Sequence, residues 1–234
     1  MNRLTLGRRS LSNKIYHVRR TDTLSQIARL AGIDLDDLLA INPQISDPDR
    51  IRPGQAILLP AAVSRRTLLA KAAEAVPGNE PLWLKVARRE LGMSADPDPN
   101  ESNPVIVEYL TSVQGLPPAM RDSDETAWCA AFTNWCFETS GVQGRKSARA
   151  LAWNDWGREV QQPSAGCLVV FRREHVTNQN DRGGHVGFYL YGNGANMTIL
   201  GGNQASMVCE MEFPMNGQRG SYNYEFLSFR VPGQ

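Results

Sequence analysis

The sequence predicts an α+β protein: a small βααβ module followed by a larger domain whose N-terminal helices pack on an antiparallel sheet. Three observations carry this. Residues 15–60 hold two short strand-like runs around two amphipathic helical patterns. Apolar spacing is helical between 81 and 137, whereas from 167 short apolar runs alternate with Gly and Asn turns, the helices-then-strands order of an α+β domain. Between these regions, Val76-Pro77-Gly78-Asn79-Glu80-Pro81 breaks the pattern. The organisation so read is a basic arm at 1–14, the module at 15–60, a linker at 61–80 and the larger domain at 81–234.

Within the module, Ile15-Tyr16-His17-Val18 reads as a strand and Thr21-Asp22-Thr23 as a helix start. Leu24, Ile27, Ala28, Leu30 and Ala31 follow at helical spacing, and Gly32 ends the run. Asp34 caps a second helix bearing Leu35, Leu38, Leu39 and Ile41, which Asn42-Pro43 stops. Pro53-Gly54 then turns the chain into the strand Gln55–Pro60. Ser64 to Ala75 can form a short polar helix.

In the larger domain, Pro81 to Gly92 is a helix with proline in its first turn and a terminal glycine. Asn103-Pro104 opens a second helix running to Val113, closed by Gly115-Leu116-Pro117-Pro118. A third begins at Trp128-Cys129, after the polar cluster Asp122-Ser123-Asp124-Glu125-Thr126, which is of the helix-capping kind. Ser147 to Trp156 reads as helical. Cys167–Phe171 is a buried strand, Asp181-Arg182-Gly183-Gly184 a turn, and His185–Tyr191 a strand. Gly192-Asn193-Gly194 makes a hairpin into Met197–Leu200, which ends at Gly201-Gly202-Asn203-Gln204. Strands at Ser206–Met211 and Glu225–Phe229 complete a meander.

Composition narrows the function classes. With 41% apolar and 21% charged residues in 234, the chain can bury real cores, and a net charge of +1 selects no acidic partner for the whole. Arg3, Arg8, Arg9, Lys14, Arg19 and Arg20 form an acid-free arm suited to phosphate or an anionic polymer. A solvated tail is preferred over a nucleic-acid contact. No run approaches the roughly 18 apolar residues of a membrane span. The N-terminus lacks the apolar core of a secretory signal, and neither Arg8-Arg9 nor Arg65-Arg66 has the setting of a twin-arginine signal. The expectation is synthesis in the cytoplasm and delivery by another route.

The four cysteines are 129, 136, 167 and 209. Cys129 and Cys136 on one helix lie roughly 10 Å apart, beyond the roughly 7 Å between Cα atoms that a disulfide spans. No C-x-x-C spacing suggests zinc, and no metal or cofactor is expected. Cys136, Cys167 and Cys209 read as small buried apolar residues. Cys129 differs, because a thiol at a helix start faces unpaired N–H groups and the positive end of the dipole, which favour the thiolate. His185 starts a strand after two glycines that leave room for a substrate, and Asn203 ends the strand returning across a tight hairpin. Antiparallel neighbours joined that way bring Asn203 towards His185, where it can fix the ring's tautomer and complete a Cys129–His185–Asn203 triad. His175 falls in a charged loop and is the lesser candidate for the base.

Two resemblances sharpen this. Tyr16-x-Val18, Asp22-Thr23-Leu24, Ile27-Ala28, Asn42-Pro43 and Ile51-x-Pro53-Gly54-Gln55 resemble the LysM family in order and spacing. That resemblance implies binding of N-acetylglucosamine-containing glycans, peptidoglycan or chitin, in a groove formed here by Thr21, Asp22, Thr23 and Leu24 with Asn42, Pro43, Gln44 and Ile45. Thr21 stands where the family usually has glycine.

The second covers residues 81 to 231. Trp83-x-x-x-Ala87-x-x-Glu90-Leu91-Gly92, Asn103-Pro104-x-Ile106-x-x-Tyr109, Trp128-Cys129-Ala130-Ala131-Phe132, Gly184-His185-Val186-Gly187-Phe188 and Gly201-Gly202-Asn203-Gln204 resemble a CHAP-like branch of the NlpC/P60 superfamily. It implies a papain-like α+β fold and amide cleavage in peptidoglycan, with Cys129 as nucleophile, His185 as base then acid, and Asn203 orienting His185 where many relatives carry an acid. The N–H of Cys129 is one oxyanion donor. Asp124, Trp128 and Gly184 flank the site as substrate contacts, with core packing an equal reading for Trp128. The expected activity is cleavage of a stem-peptide bond or of N-acetylmuramoyl-L-alanine, with LysM tethering raising the local substrate concentration. A papain-like enzyme acting on another amide or ester, and an inactive glycan-binding protein, are the alternatives. A phage lysin and a toxin injected by a contractile secretion system, with an immunity or secretion partner, both fit the expected delivery.

Overall fold

The computed structural model describes residues 14–19, 22–60, 63, 65–74 and 78–233. Residues 1–13 of the basic arm at 1–14, together with Arg20 and Thr21, lie outside them. The chain divides into two compact units, residues 1–72 and 73–234.

In the first unit, β1 (Lys14–His17) pairs antiparallel with β2 (Ala56–Leu59), and α1 (Leu24–Ala31) and α2 (Leu35–Ala40) lie between them in the chain. Thr23 caps α1: its hydroxyl accepts from the Gln26 N–H while the Gln26 side chain accepts from the Thr23 N–H. Gly32, at φ 72°, ends the helix in the left-handed conformation that glycine adopts without strain. Tyr16, Val18, Leu24, Ile27, Leu38, Ile57 and Leu59 form the core. Helix α3 (Arg65–Glu74) falls within the span expected to be helical and buries Leu68 and Leu69.

The second unit begins with α4 (Leu82–Arg88), α5 (Pro104–Thr111) and a four-residue α6 (Pro118–Arg121) that the proline pair at 117–118 was not expected to start. Helix α7 (Cys129–Thr139) packs on α4 and α5. Residues 147–156, read as a helix, instead form a short 3-10 turn at Ala150–Asp155.

The sheet follows. Its strands are β3 (Arg158–Val160), β4 (Leu168–His175), β5 (Arg182–Gly192), β6 (Asn196–Gln204), β7 (Met207–Pro214), β8 (Asn216–Arg219) and β9 (Tyr222–Val231). They pair antiparallel in the order β3-β9-β4-β5-β6-β7, with β8 on β9. Strands β3 and β8 were not foreseen. Arg182, Gly183 and Gly184, read as a turn, belong to β5, where they pair with Glu174, Arg173 and Arg172 of β4. His175, placed in a loop by the sequence reading, ends β4.

Helix α7 is buried almost all round, and rings account for this. Tyr109 of α5 packs on Trp128, Phe132 and Trp135, while Phe137 meets Trp83, Trp153, Trp156 and Phe188. Each such large side chain contributes roughly 1.5–3 kcal/mol on burial. Some polar groups within this packing are matched: Asn134 donates to the Ser112 carbonyl and accepts from the Lys146 N–H, and Trp135 Nε1 donates to Glu108, whereas the buried Trp128 Nε1 has no partner among the described residues. The helix start is thereby held rigidly against β5 and β6.

Candidate active site

Cys129 is the first residue of α7, and Trp128 at the N-cap makes no side-chain cap bond. The expected capping by residues 122–126 does not occur. The consequence is chemical: the first N–H groups of a helix have no intrahelical partner, and those of Cys129 and Ala130 act on the thiol. The backbone N–H of Val186 on β5 opposes the burial of the thiol in the same sense. Since Val186 follows His185 on β5 and α7 packs on that strand, the thiol lies against the histidine's stretch of the sheet.

His185 is 6% exposed and stacks on Phe213, with ring centroids 5.1 Å apart. Its Nε2 lies 3.0 Å from Gln204 Oε1. The tautomer follows from the amide's other end. Gln204 Nε2 donates to the Cys209 carbonyl at 2.6 Å, so the oxygen of the amide is the atom that faces the ring. An oxygen can only accept, so His185 Nε2 carries the proton and Nδ1 keeps its lone pair. That nitrogen is free to take a proton.

The expected third member, Asn203, is not the residue that holds the ring. A regular ladder continued from the Phe188↔Leu200 pair would set Asn203 opposite His185. The backbone departs from that register: the β6–β7 pairing shifts between Gly201 and Gln204, and Asn203 adopts φ 55°. The extra residue advances the chain by one, and Gln204, 2% exposed, takes the place beside the ring. Gly201 makes this possible, because a Cβ there would lie 2.7 Å from Gln204 Oε1. The only sequence signal was the Gly-Gly-Asn-Gln cluster itself, which marks an irregularity without saying which amide turns inward.

The electrostatics also depart from expectation. Burial pushes the Cys129 thiol up, and it outweighs the opposing N–H of Val186, the Arg173 charge and the N–H groups of Ala130 and Cys129. Burial also brings His185 down to about 4, against the Gln204 hydrogen bond, with the charges of Arg173 and Arg219 adding to the lowering. The resting pair is therefore a neutral thiol beside a neutral imidazole, not a preformed thiolate. A neutral imidazole is already in its base form at pH 7, as a general base requires.

Of the flanking residues, Gly184 lines a cleft of about 710 Å³ together with Cys129. Trp128 does not: it is fully buried, its ring filling the space over Gly202, where a Cβ would sit 2.5 Å from it. Asp124 is buried as well, and its Oδ2 accepts from the Asp96 and Asn103 N–H groups, at 2.8 Å in each case, clamping the loop between α4 and α5. Both serve the packing around the helix start, in place of the substrate contact expected of them. His175 accepts from the N–H groups of Thr177 and Asn178 at its own turn. The sequence reading missed Gln204 and three arginines of the cleft, Arg149, Arg173 and Arg182.

In the first unit, the residues expected to meet sugar spend much of their hydrogen bonding inside the fold. Asp22 accepts from the Tyr16 hydroxyl and from the Arg19 N–H. Asn42 donates to the Leu38 and Leu58 carbonyls and accepts from the Leu58 N–H and from Gln44. Thr23 serves the cap while staying exposed, Leu24 and Ile45 are buried, and Pro43 and Gln44 are exposed. A depression of about 540 Å³ lies elsewhere on the unit, between the end of α1 and the start of α2.

A cysteine at a helix start, a buried histidine on the adjoining sheet and an amide holding its ring define an α+β domain with a thiol–imidazole site, preceded in the chain by a βααβ module. The family models name both parts: residues 16–60 match the LysM domain and residues 121–203 the CHAP domain. The chain thus carries a LysM domain followed by a CHAP domain. Over 48 residues it is 46% identical to the spore coat assembly protein ExsA of Bacillus cereus and 40% identical to the SpoIVD-associated factor A of Bacillus subtilis (strain 168). Those matches cover 20% of this chain and only 8% and 12% of the two relatives. A solved Staphylococcus aureus structure, described as similar to lipoprotein of the NLP/P60 family, aligns over 90% of this chain and 75% of its own. It does so at 14% identity and a TM-score of 0.29. Among the described residues, no helix is long and apolar enough to cross a membrane.

Proposed function

We propose that this chain is a peptidoglycan-binding cysteine hydrolase, in which the LysM domain holds the glycan and the CHAP domain cleaves an amide of the stem peptide or its junction with muramic acid. The observation that carries the reading is the assignment of protons at the site. His185 Nε2 is committed to Gln204, leaving Nδ1 as the base for a thiol at the start of the helix that packs on the same strand.

The chemistry follows from neutral partners. As the Cys129 sulfur attacks the amide carbonyl, His185 Nδ1 takes the thiol proton, so no free thiolate need accumulate. The tetrahedral oxyanion forms at the start of α7, where the Cys129 N–H can donate to it; losing such a donor typically costs about a hundredfold or more. Imidazolium then passes its proton to the departing amine as the C–N bond breaks, leaving a thioester. Water, deprotonated by the same nitrogen, releases the acid and restores the thiol. Gln204 keeps the ring's orientation through both halves. As a neutral amide it stabilises imidazolium less than a carboxylate would, in keeping with a histidine base brought down to about 4. Tethering through LysM raises the effective concentration of substrate without a new contact at the thiol. A lysin or an injected toxin would both place this activity at the cell wall, and no feature of the described residues speaks for an immunity or secretion partner.

The test is mass spectrometry of purified peptidoglycan treated with wild type and with Cys129→Ala. New free amino termini present only with wild type support the reading and identify the bond. Identical digests would sink it.

A further inference from the structure

The cleft beside Cys129 carries a charge pattern that amide hydrolysis alone does not require. One wall is small and apolar, formed by alanines and Leu151 of the 148–152 stretch. Arg149, Arg173 and Arg182 also line the cleft, and no acidic residue does. Several arginines elsewhere on this domain are matched: Arg88 pairs with Glu80 and Glu210, Arg145 with Asp155, Arg172 with Glu225 and Arg230 with Glu159. Among the described residues the three cleft arginines make no ion pair, although Glu174 stands opposite Arg182 in the β4–β5 ladder.

Arg173 ties this charge to the thiol–imidazole pair. Its register partner is Gly183, whose missing side chain leaves open space, and Phe171, two residues before it, pairs with His185. Its guanidinium lies over the Tyr222 ring, 4.4 Å from the centroid, and its charge acts on both Cys129 and His185. Its Nε is buried without a hydrogen-bond partner. A desolvated cationic donor left unpaired is costly, and a carboxylate is the acceptor that guanidinium geometry matches best.

We propose that this cleft takes a peptide segment bearing a free carboxylate, held by Arg149, Arg173 and Arg182 next to the amide that Cys129 attacks. The assignment deepens the hydrolase reading and rests on it for the identity of the peptide. The apolar wall suits small side chains such as alanine, and the arginines select acids over their carboxamides.

The experiment uses the full chain as Cys129→Ala and a pair of synthetic stem peptides, identical except that the carboxylates of one are amidated. Calorimetry should show the acid binding roughly tenfold or more tighter, the worth of one charge-assisted bond, with the difference shrinking as salt rises. In the same background, replacing the exposed Arg149 and Arg182 with glutamine should abolish most of that difference, whereas Arg172→Gln, outside the cleft, should preserve it. Equal affinities, no binding of either peptide, or a preference surviving the double replacement would each overturn the assignment. The two readings fail separately. A wild type that cleaves both peptides at one rate removes the carboxylate site and keeps the hydrolase. A wild type that cleaves no peptidoglycan, with acid preference intact in Cys129→Ala, removes the hydrolase and keeps the site.

Discussion

Replacing Gln204 with alanine removes the acceptor for His185 Nε2–H, a contact of 3.0 Å between side chains that are both almost fully buried. It also strips the Cys209 carbonyl of its 2.6 Å donor. A buried donor left unsatisfied costs about 1–3 kcal/mol. If that cost falls on the productive tautomer and orientation, a factor of ten per 1.36 kcal/mol gives a loss of roughly 10- to 100-fold in kcat. Asn203→Gly is the matched control, since glycine takes φ 55° without strain and the change deletes the other amide of the pair. Its expected loss is under about threefold, within the scatter of changes that touch no special feature. The assay is release of free amines from purified peptidoglycan, with thermal melting of each variant to separate a lost orientation from a lost fold. A loss in Asn203→Gly equal to or larger than that in Gln204→Ala, at unchanged melting temperature, would refute the bulge-based assignment. Gln204→Glu extends the test: a carboxylate beside the ring stabilises imidazolium and should move the acid limb of the rate profile to higher pH.

Further outcomes follow from the same geometry. His185 is brought from its ordinary 6.5 to about 4 in the folded chain, so the unfolded chain binds the extra proton between those values. The penalty is absent above pH 6.5, grows as pH falls towards 4 and amounts to about 3 kcal/mol. Denaturant melts across that range should show the slope in wild type and a smaller one in His185→Gln. Because burial raises the Cys129 thiol, iodoacetamide labelling should keep climbing through pH 8 and 9, and a plateau already reached at pH 7 would contradict the neutral resting pair. A methyl at Gly202 would meet the Trp128 ring at 2.5 Å and Phe132 Cβ at 2.7 Å, so Gly202→Ala should cost roughly 1–3 kcal/mol of stability. Gly201→Ala should instead depress activity at a smaller loss of stability, because the nearest atom is the movable end of Gln204. In the first unit, Asn42→Ala strands the backbone groups of Leu58 and should destabilise that unit by about 3 kcal/mol, read as a loss of peptidoglycan pull-down on warming.

The sequence by itself determined the architecture and pointed to Cys129 and His185, the pair proposed to react. Period set α1, α2, α4, α5 and α7, and Thr23, Gly32, Asn103 and the prolines fixed ends of some of them by acting on neighbours within one turn. Cys129 at a helix start and His185 after two glycines were legible for the same reason: both depend on local pattern. Only the tertiary structure decided the rest. Which amide faces His185 depends on a bulge and on packing around Gly201, and a one-residue slip exchanges the faces of a strand. Whether Cys129 rests as thiol or thiolate is a contest between burial and donors that includes Val186, 57 positions away by number, so no helix-start argument could settle it. Trp128 and Asp124 looked like substrate contacts because they flank the nucleophile in the chain, yet proximity in sequence does not say which side of α7 is solvent. The arginines of the cleft come from three separate stretches, and only the fold of β4, β5 and the 148–152 stretch gathers their charge beside the thiol.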